Sequence, residues 1–527
     1  MKTCWPLSIL LALAVSARGE VTLHRLFSDN AVLQQRAKVP IWGTARDGEK
    51  VTVQFQKQRV TTIASNGQWR VTLKPLRAGG PFTLVVTGDP STGSGRGNTL
   101  TRTNLLVGEV WICSGQSNMQ WPLTHCENSQ AAISNATDPQ LRLFTVPNVA
   151  ANEPQRDVNA NWVECTPQTV AGFSGVAYYF GRDLRAARRV PVGLINTSWG
   201  GSPAETWVPR SYLAADPILK PSLDSFQQAV ASYPKQLEQY QQAEPALTQK
   251  HAEAVAQAAA AGKPAPHPPA PPGDPAQNAH RPGALYYAMI APLQPFAIRG
   301  AIWYQGESNA GRAWQYRTLF PTMIRAWRET WGAGAPATGS GQVFPFLFVQ
   351  LAPCGSAALG VSAWAELREA QLRTTQTLPA TAMAVITDAG DCADIHPRRK
   401  EPVGARLALA ARALAYGERI ESSGPLYRAM TVKSDRIALT FSHARGGLVT
   451  KAGELKGFII ARADQRFFPA KAEIEGDKVV VSSPDVPQPV AVRYGWADCP
   501  DINLYNQAGL PASPFRTDDF PMITQPR

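Results

Sequence analysis

Residues 113–119 read Cys113-Ser114-Gly115-Gln116-Ser117-Asn118-Met119, and they follow a strand-like run from Leu105 to Ile112. A serine among small and polar residues, where a buried strand stops, can stand exposed at a sheet edge with backbone N–H groups beside it. That arrangement suits a serine nucleophile, because one turn holds the attacking oxygen and cradles the oxyanion that develops. Read alone, the heptapeptide also fits a tight polar turn, so the surrounding chain has to decide. Further strand candidates follow at 192–198, 298–304, 345–352 and 381–388. Amphipathic helices are expected at Tyr178–Val190, Trp314–Trp331, Trp364–Leu378 and Pro402–Tyr416. Buried strands alternating with helices predict a parallel sheet in a three-layer α/β domain over residues 105–424. Ligand groups are then expected beyond the carboxyl ends of the strands.

Those ends carry polar or small residues at four places. They are Gly115-Gln116-Ser117-Asn118, Asn196-Thr197-Ser198-Trp199-Gly200-Gly201, Trp303-Tyr304-Gln305-Gly306-Glu307-Ser308-Asn309 and Thr387-Asp388-Ala389-Gly390-Asp391, the last followed by Asp394-Ile395-His396-Pro397. In a parallel sheet they converge on one surface. Of the seven histidines, His396 alone follows the last α/β strand, beside Asp394 and just before a helix. An imidazole held by a carboxylate can take a serine proton and return it to a leaving alcohol.

The flanks have a different texture. Residues 20–104 carry short β-branched runs separated by Asp47-Gly48 and Asn66-Gly67, which predicts a small β-sandwich. Residues 425–527 return to β character. Residues 220–280 interrupt the α/β pattern: Phe226–Ala260 reads as helix and Pro264–Pro275 as an extended loop, so the segment is expected to be a surface insertion dispensable for the chemistry. Met1–Gly19 has a lysine, an apolar Leu7–Val15 core and small residues at its end, the pattern of a secretory signal peptide. Export to a periplasmic or extracellular compartment is therefore expected. It permits disulfides among Cys113, Cys126, Cys165, Cys354, Cys392 and Cys499, whose pairing the spacing does not settle.

The formal charge is +12, from 52 Lys and Arg against 40 Asp and Glu. The basic residues are dispersed, and the densest cluster, Arg398-Arg399-Lys400, reads as solvated surface. With no helix-turn-helix, finger or aromatic-basic motif, nucleic acid is not an expected partner. No later stretch is apolar for long enough to span a membrane. There is no zinc spacing, P-loop or dinucleotide fingerprint, so no metal or cofactor is expected.

Together these blocks resemble the sialate O-acetylesterase family, within the wider SGNH/GDSL-type hydrolases. The likeness rests on Gly108 to Met119, Gly193 to Gly201, Tyr304-Gln305-Gly306-Glu307-Ser308-Asn309, Ile395-His396-Pro397-Arg398 and Ala413 to Glu418. Ala31 to Gln35 and Val492 to Trp496 extend it to nearly the whole chain outside the insertion. The resemblance implies an SGNH-like sheet with flanking β domains and a serine esterase acting on O-acetylated sialic acid. It places Ser117 as nucleophile, His396 as base, and Gly201 (or its neighbour Gly200) with Gln305 in the oxyanion hole. Glu307 would orient the loops or assist the histidine. Selectivity for a sialate needs a cation for the sugar carboxylate, and Arg398 or Arg399 is the candidate. The wider family often has an acid three residues before its histidine, where this chain has Ala393. The third triad member is thus open among Asp394, Asp391 and Glu307. The rival readings are an esterase of other acetylated carbohydrates, such as acetylxylan, and a non-catalytic carbohydrate-binding protein.

Overall fold

The structure is a computed structural model and describes residues 20–89, 98–332 and 343–526; the expected signal peptide lies outside the described residues. The N-terminal strands are β1 (Val32–Gln34), β2 (Val39–Thr44), β3 (Lys50–Phe55), β4 (Gln58–Ile63), β5 (Gln68–Leu73) and β6 (Gly79–Gly88). The next strand, β7 (Thr99–Gly115), is 17 residues long. Its first half pairs antiparallel with β6, and Leu106–Gly108 pair parallel with β1. Its second half is the middle of the parallel sheet. The expected boundary between residues 104 and 105 therefore falls inside one continuous strand.

The α/β strands are β8 (Asp138–Thr145), β9 (Val163–Cys165), β10 (Val192–Ser198), β11 (Gly300–Tyr304), β12 (Phe346–Val349) and β13 (Thr381–Ala384). Across the sheet the order is β13-β12-β11-β7-β10-β8-β9, parallel except for β9. Strand β8 adds a member that the sequence pattern did not suggest. The chain builds outward from β7 on one side through β8 and β10, then on the other through β11, β12 and β13. The switch point of the topology thus lies at β7, where α/β sheets open a crevice for ligands.

Alternate residues of these strands enter opposite cores. Ile112, Ile195, Ala301, Trp303, Phe346 and Phe348 pack with Phe320, Ile324 and Trp327 of helix Ala313–Trp331. Trp111, Cys113, Leu194, Ile302, Leu347 and Val349 pack with Val176 and Phe180 of helix Gly175–Arg188 and with Val403 and Leu407 of helix Glu401–Leu414. Side chains alternate faces along a strand, so a sheet covered on both sides needs continuous apolar runs. A third core, built from strands between Leu426 and Arg516, forms the C-terminal β region. It is tied to helix Ala363–Thr377 through Arg368, fully buried, which donates to the Ala497 and Asp498 carbonyls at 2.7 and 2.6 Å.

The insertion begins with a 41-residue helix, Lys220–Ala260, whose only buried side chain among the described residues is Leu223. Residues 263–274 follow without helix or strand. No helix among the described residues is long and apolar enough to cross a membrane.

Candidate active site

Register explains how the strand-end blocks meet. Gly115 pairs with Ser198 of β10 on one side and Tyr304 of β11 on the other, so three strands end level. Gly115 has φ +142°, and a Cβ there would stand 2.1 Å from the Tyr304 carbonyl oxygen. Only glycine satisfies both the conformation and the close approach. The chain then turns into a short helix, Ser117–Gln120, and brings Ser117 out at the crevice. Gln116 stays behind and ties the neighbouring loop, its Oε1 accepting from the Gly306 and Ser308 N–H groups at 3.4 and 3.3 Å.

His396 arrives from the loop after β13. Its Nε2 lies 2.8 Å from Ser117 Oγ. The ring stacks on Trp121, with centroids 4.9 Å apart and planes 14° apart. Burial, then the Lys400 charge, hold the imidazole below its ordinary value near 6.5, while Asp394 acts in the opposite direction. The neutral ring is the form able to accept a proton.

The loop is clamped at several points. Asp388 forms a two-pronged ion pair with Arg406, at 2.6 and 2.8 Å. Cys392 is disulfide-bonded to Cys499 of the C-terminal region. Asn118 Nδ2 donates to the Ile395 carbonyl at 2.9 Å, one residue before the histidine.

The other candidate residues fall in distinct places. Asp394 Oδ1 accepts the His396 backbone N–H at 2.8 Å but lies 3.9 Å from Nδ1, beyond hydrogen-bond reach. Asp391 caps the Ala393 N–H at 2.9 Å. The Gly200 N–H is spent on Gln120 Oε1 at 2.8 Å. The Gly201 N–H has no acceptor among the described residues, and Gly201 adopts φ +73°. Gln305 is fully buried and turned inward. Its amide donates to Asn309 Oδ1 at 2.7 Å and Ser202 O at 3.4 Å, and its oxygen accepts from Tyr316 at 2.9 Å. Glu307 receives Asn118 Nδ2 on Oε1, leaves Oε2 buried without a partner, and has its carboxyl pushed up by burial. Arg398 donates Nε to the His125 carbonyl at 3.1 Å, and Arg399 reaches Asp388 O at 2.7 Å. Among the described residues, no three His, Cys, Asp or Glu side chains are grouped as a metal site.

Residues 107–262 match the family model "Carbohydrate esterase, sialic acid-specific acetylesterase". The sialate O-acetylesterase of Rattus norvegicus is 30% identical, over 97% of this chain and 97% of its own length. That of Homo sapiens is 29% identical, over 93% and 90%. A crystal structure of a carbohydrate acetylesterase from Xanthomonas citri superposes with a TM-score of 0.78 at 38% identity, covering 95% of this chain and all of that one. The chain belongs to the sialate O-acetylesterase family. It is a carboxylic ester hydrolase acting on an acetylated sugar.

Three residues of the candidate site carry no signal in the sequence pattern. Asn118 lies inside the first block yet reads there as a turn residue. Lys400 belongs to a basic cluster expected on the surface, but its side chain is fully buried and its ammonium donates to Asn118 Oδ1. His280, at the end of the insertion, packs edge-on to Trp199 with centroids 5.6 Å apart. Its Cε1 would stand 3.5 Å from a Cβ on Gly201. The insertion therefore touches the glycine turn, although its proline-rich stretch does not carry the contact.

Proposed function

We propose that this esterase removes O-acetyl groups from sialic acids through an acyl-enzyme on Ser117. The observation that carries the reading is the 2.8 Å contact between Ser117 Oγ and His396 Nε2 at the switch point of the sheet. His396 takes the serine proton as Oγ attacks the acetyl carbonyl. The N–H groups of Ser117 and Gly201 face the tetrahedral oxyanion. His396 then gives its proton to the departing sugar oxygen, and the same base activates water to release acetate. Gln305 contributes by bracing the loop that carries Asn309, since both of its amide hydrogens are engaged. Asp394 shapes the turn at His396 through the backbone. Arg398, exposed and with only Nε engaged among the described residues, is the candidate to meet the sialic acid carboxylate.

The test is acetate release from O-acetylated sialic acid, acetylated xylan and an aryl acetate by the parent and by Ser117→Ala. Preference for the sialate substrate, lost in Arg398→Ala while aryl-acetate turnover persists, is the expected result. Preference for xylan would move the substrate to plant polysaccharides. No turnover of any ester would leave a binding protein.

Export is part of the same proposal. The 1–19 segment has the signal-peptide pattern, and the Cys392–Cys499 disulfide suits an oxidising compartment. A mature N-terminus near residue 18 or 20 on protein recovered outside the cytosol is expected.

A further inference from the structure

Lys400 stands at the entry to helix Glu401–Leu414 with its side chain fully buried. A buried ammonium is costly unless its hydrogen bonds repay the lost water. Here the bond goes to a neutral amide, Asn118 Oδ1. The same ammonium lies 5.3 Å above the Tyr304 ring and 5.9 Å above the Trp121 ring. An ammonium can only donate, so it forces the amide oxygen of Asn118 towards itself. The amide nitrogen is then directed at Glu307 Oε1 and the Ile395 carbonyl. Trp121 is the surface on which the His396 ring is stacked. Lys400 thus contacts both neighbours that fix His396, the amide that holds Ile395 and the indole beneath the ring.

We propose that Lys400 is a positioning residue for His396, orienting the ring through Asn118 and Trp121 and adding a buried positive charge to the pocket that holds it. The ring lacks the close carboxylate of a triad, since Asp394 stands 3.9 Å from Nδ1. The electrical effect of Lys400 is opposite to that of a triad acid. A carboxylate raises the basicity of the imidazole; a buried cation lowers it. The groups facing this pair are Asp394 on the histidine loop, Glu307 and Tyr304 from the end of β11, and Cys126 and His125 beyond Trp121. Asp394 opposes the Lys400 effect on His396, and Tyr304 is held neutral by burial. Burial brings Lys400 itself down to about 8.

The inference rests on the Ser117–His396 reading, and the experiment separates the two. The pH profile of kcat/KM on an aryl acetate is measured for the parent, Lys400→Met, Lys400→Arg and Lys400→Gln, beside Ser117→Ala, together with the pH dependence of fluorophosphonate labelling. In Lys400→Met the midpoint of the acid limb should rise by roughly one unit, and plateau kcat should fall about tenfold or more. Lys400→Arg should keep the midpoint near that of the parent, and Lys400→Gln should shift it as Met does. The Gln and Arg variants give the comparison if Met does not fold. An unmoved acid limb in both uncharged variants overturns the proposal, as does an Arg variant that shifts as far as Met. Turnover surviving in Ser117→Ala would instead overturn the nucleophile assignment.

Discussion

Ser117 leaves a strand hydrogen-bonded on both sides, whereas His396 sits on residues 385–400, which contain neither strand nor helix. The serine is aimed by backbone constraints that begin two residues away, at Gly115. The histidine loop is aimed by a disulfide from Cys392 to Cys499, 107 residues onward, by Asn118, 277 residues before Ile395, and by Arg406 on the following helix. One half of the pair is thus set by local stereochemistry and sheet register, the other by tertiary clamps. Local constraints break all at once when a residue is wrong, while clamps share the load and fail by degrees.

The largest effect should come from the local side. Ser117→Ala should lower kcat on the order of 10⁴-fold or more with the fold intact by circular dichroism, and fluorophosphonate should no longer label the protein. Turnover close to that of the parent would show that the attacking oxygen lies elsewhere. Next comes the strongest clamp. The Cys392–Cys499 bridge closes a loop of 107 residues, a length at which chain entropy alone gives a disulfide about 5 kcal/mol. The Cys392→Ser/Cys499→Ser double variant should lower Tm and reduce kcat together. A lower Tm with unchanged kcat would mean that Arg406 and Asn118 hold the loop by themselves.

Acidity probes the same loop without a mutation. Burial and Lys400 depress His396, so its acceptor form survives below its ordinary value. Protonation removes that acceptor, and kcat/KM should fall only as pH drops through a midpoint below 6.5. A midpoint above that value would mean that a carboxylate dominates the ring. Asp394→Asn should be smaller still, within about fivefold of the parent, against the 10⁴-fold typical of a triad acid, because asparagine can still cap the His396 N–H. A crippled Asp394→Asn alongside a healthy Glu307→Gln would restore Asp394 as the third member. The smallest effect is expected from replacing Ala261–Asn278 with a Gly/Ser linker. Aryl-acetate hydrolysis should stay within a few-fold, since the replacement stops short of His280; loss of activity on every ester would place the proline-rich stretch in the site.

The same contrast accounts for what could be read in advance. Five of the six parallel strands and all four principal helices were legible, because both announce themselves by periodicity. Strand β8 was not, because Arg142 interrupts its apolar pattern; the arginine is buried by pairing with Glu164, Asn30 and Asn104. Gly115 and Ser117 were legible as a strand end. The inward turn of Gln305 was not, because it depends on Tyr316 and Asn309, whose spacing from it carries no periodic signal. Lys400 looked like surface for a simple reason: two exposed arginines precede it, and no sequence rule marks which of three adjacent cations the fold will bury.

Strand β7 has a further consequence. One unbroken backbone is hydrogen-bonded to the N-terminal β unit along its first half and to the parallel sheet along its second. Cutting between residues 104 and 105 would remove its N-terminal part and leave β1 and β6 without part of the partner they pair with. The N-terminal unit is accordingly not cargo that could be shed or exchanged between chains. Slackening at Thr99 is transmitted down the same ribbon towards Gly115, so the N-terminal unit and the parallel sheet should lose their order in one step when the protein unfolds.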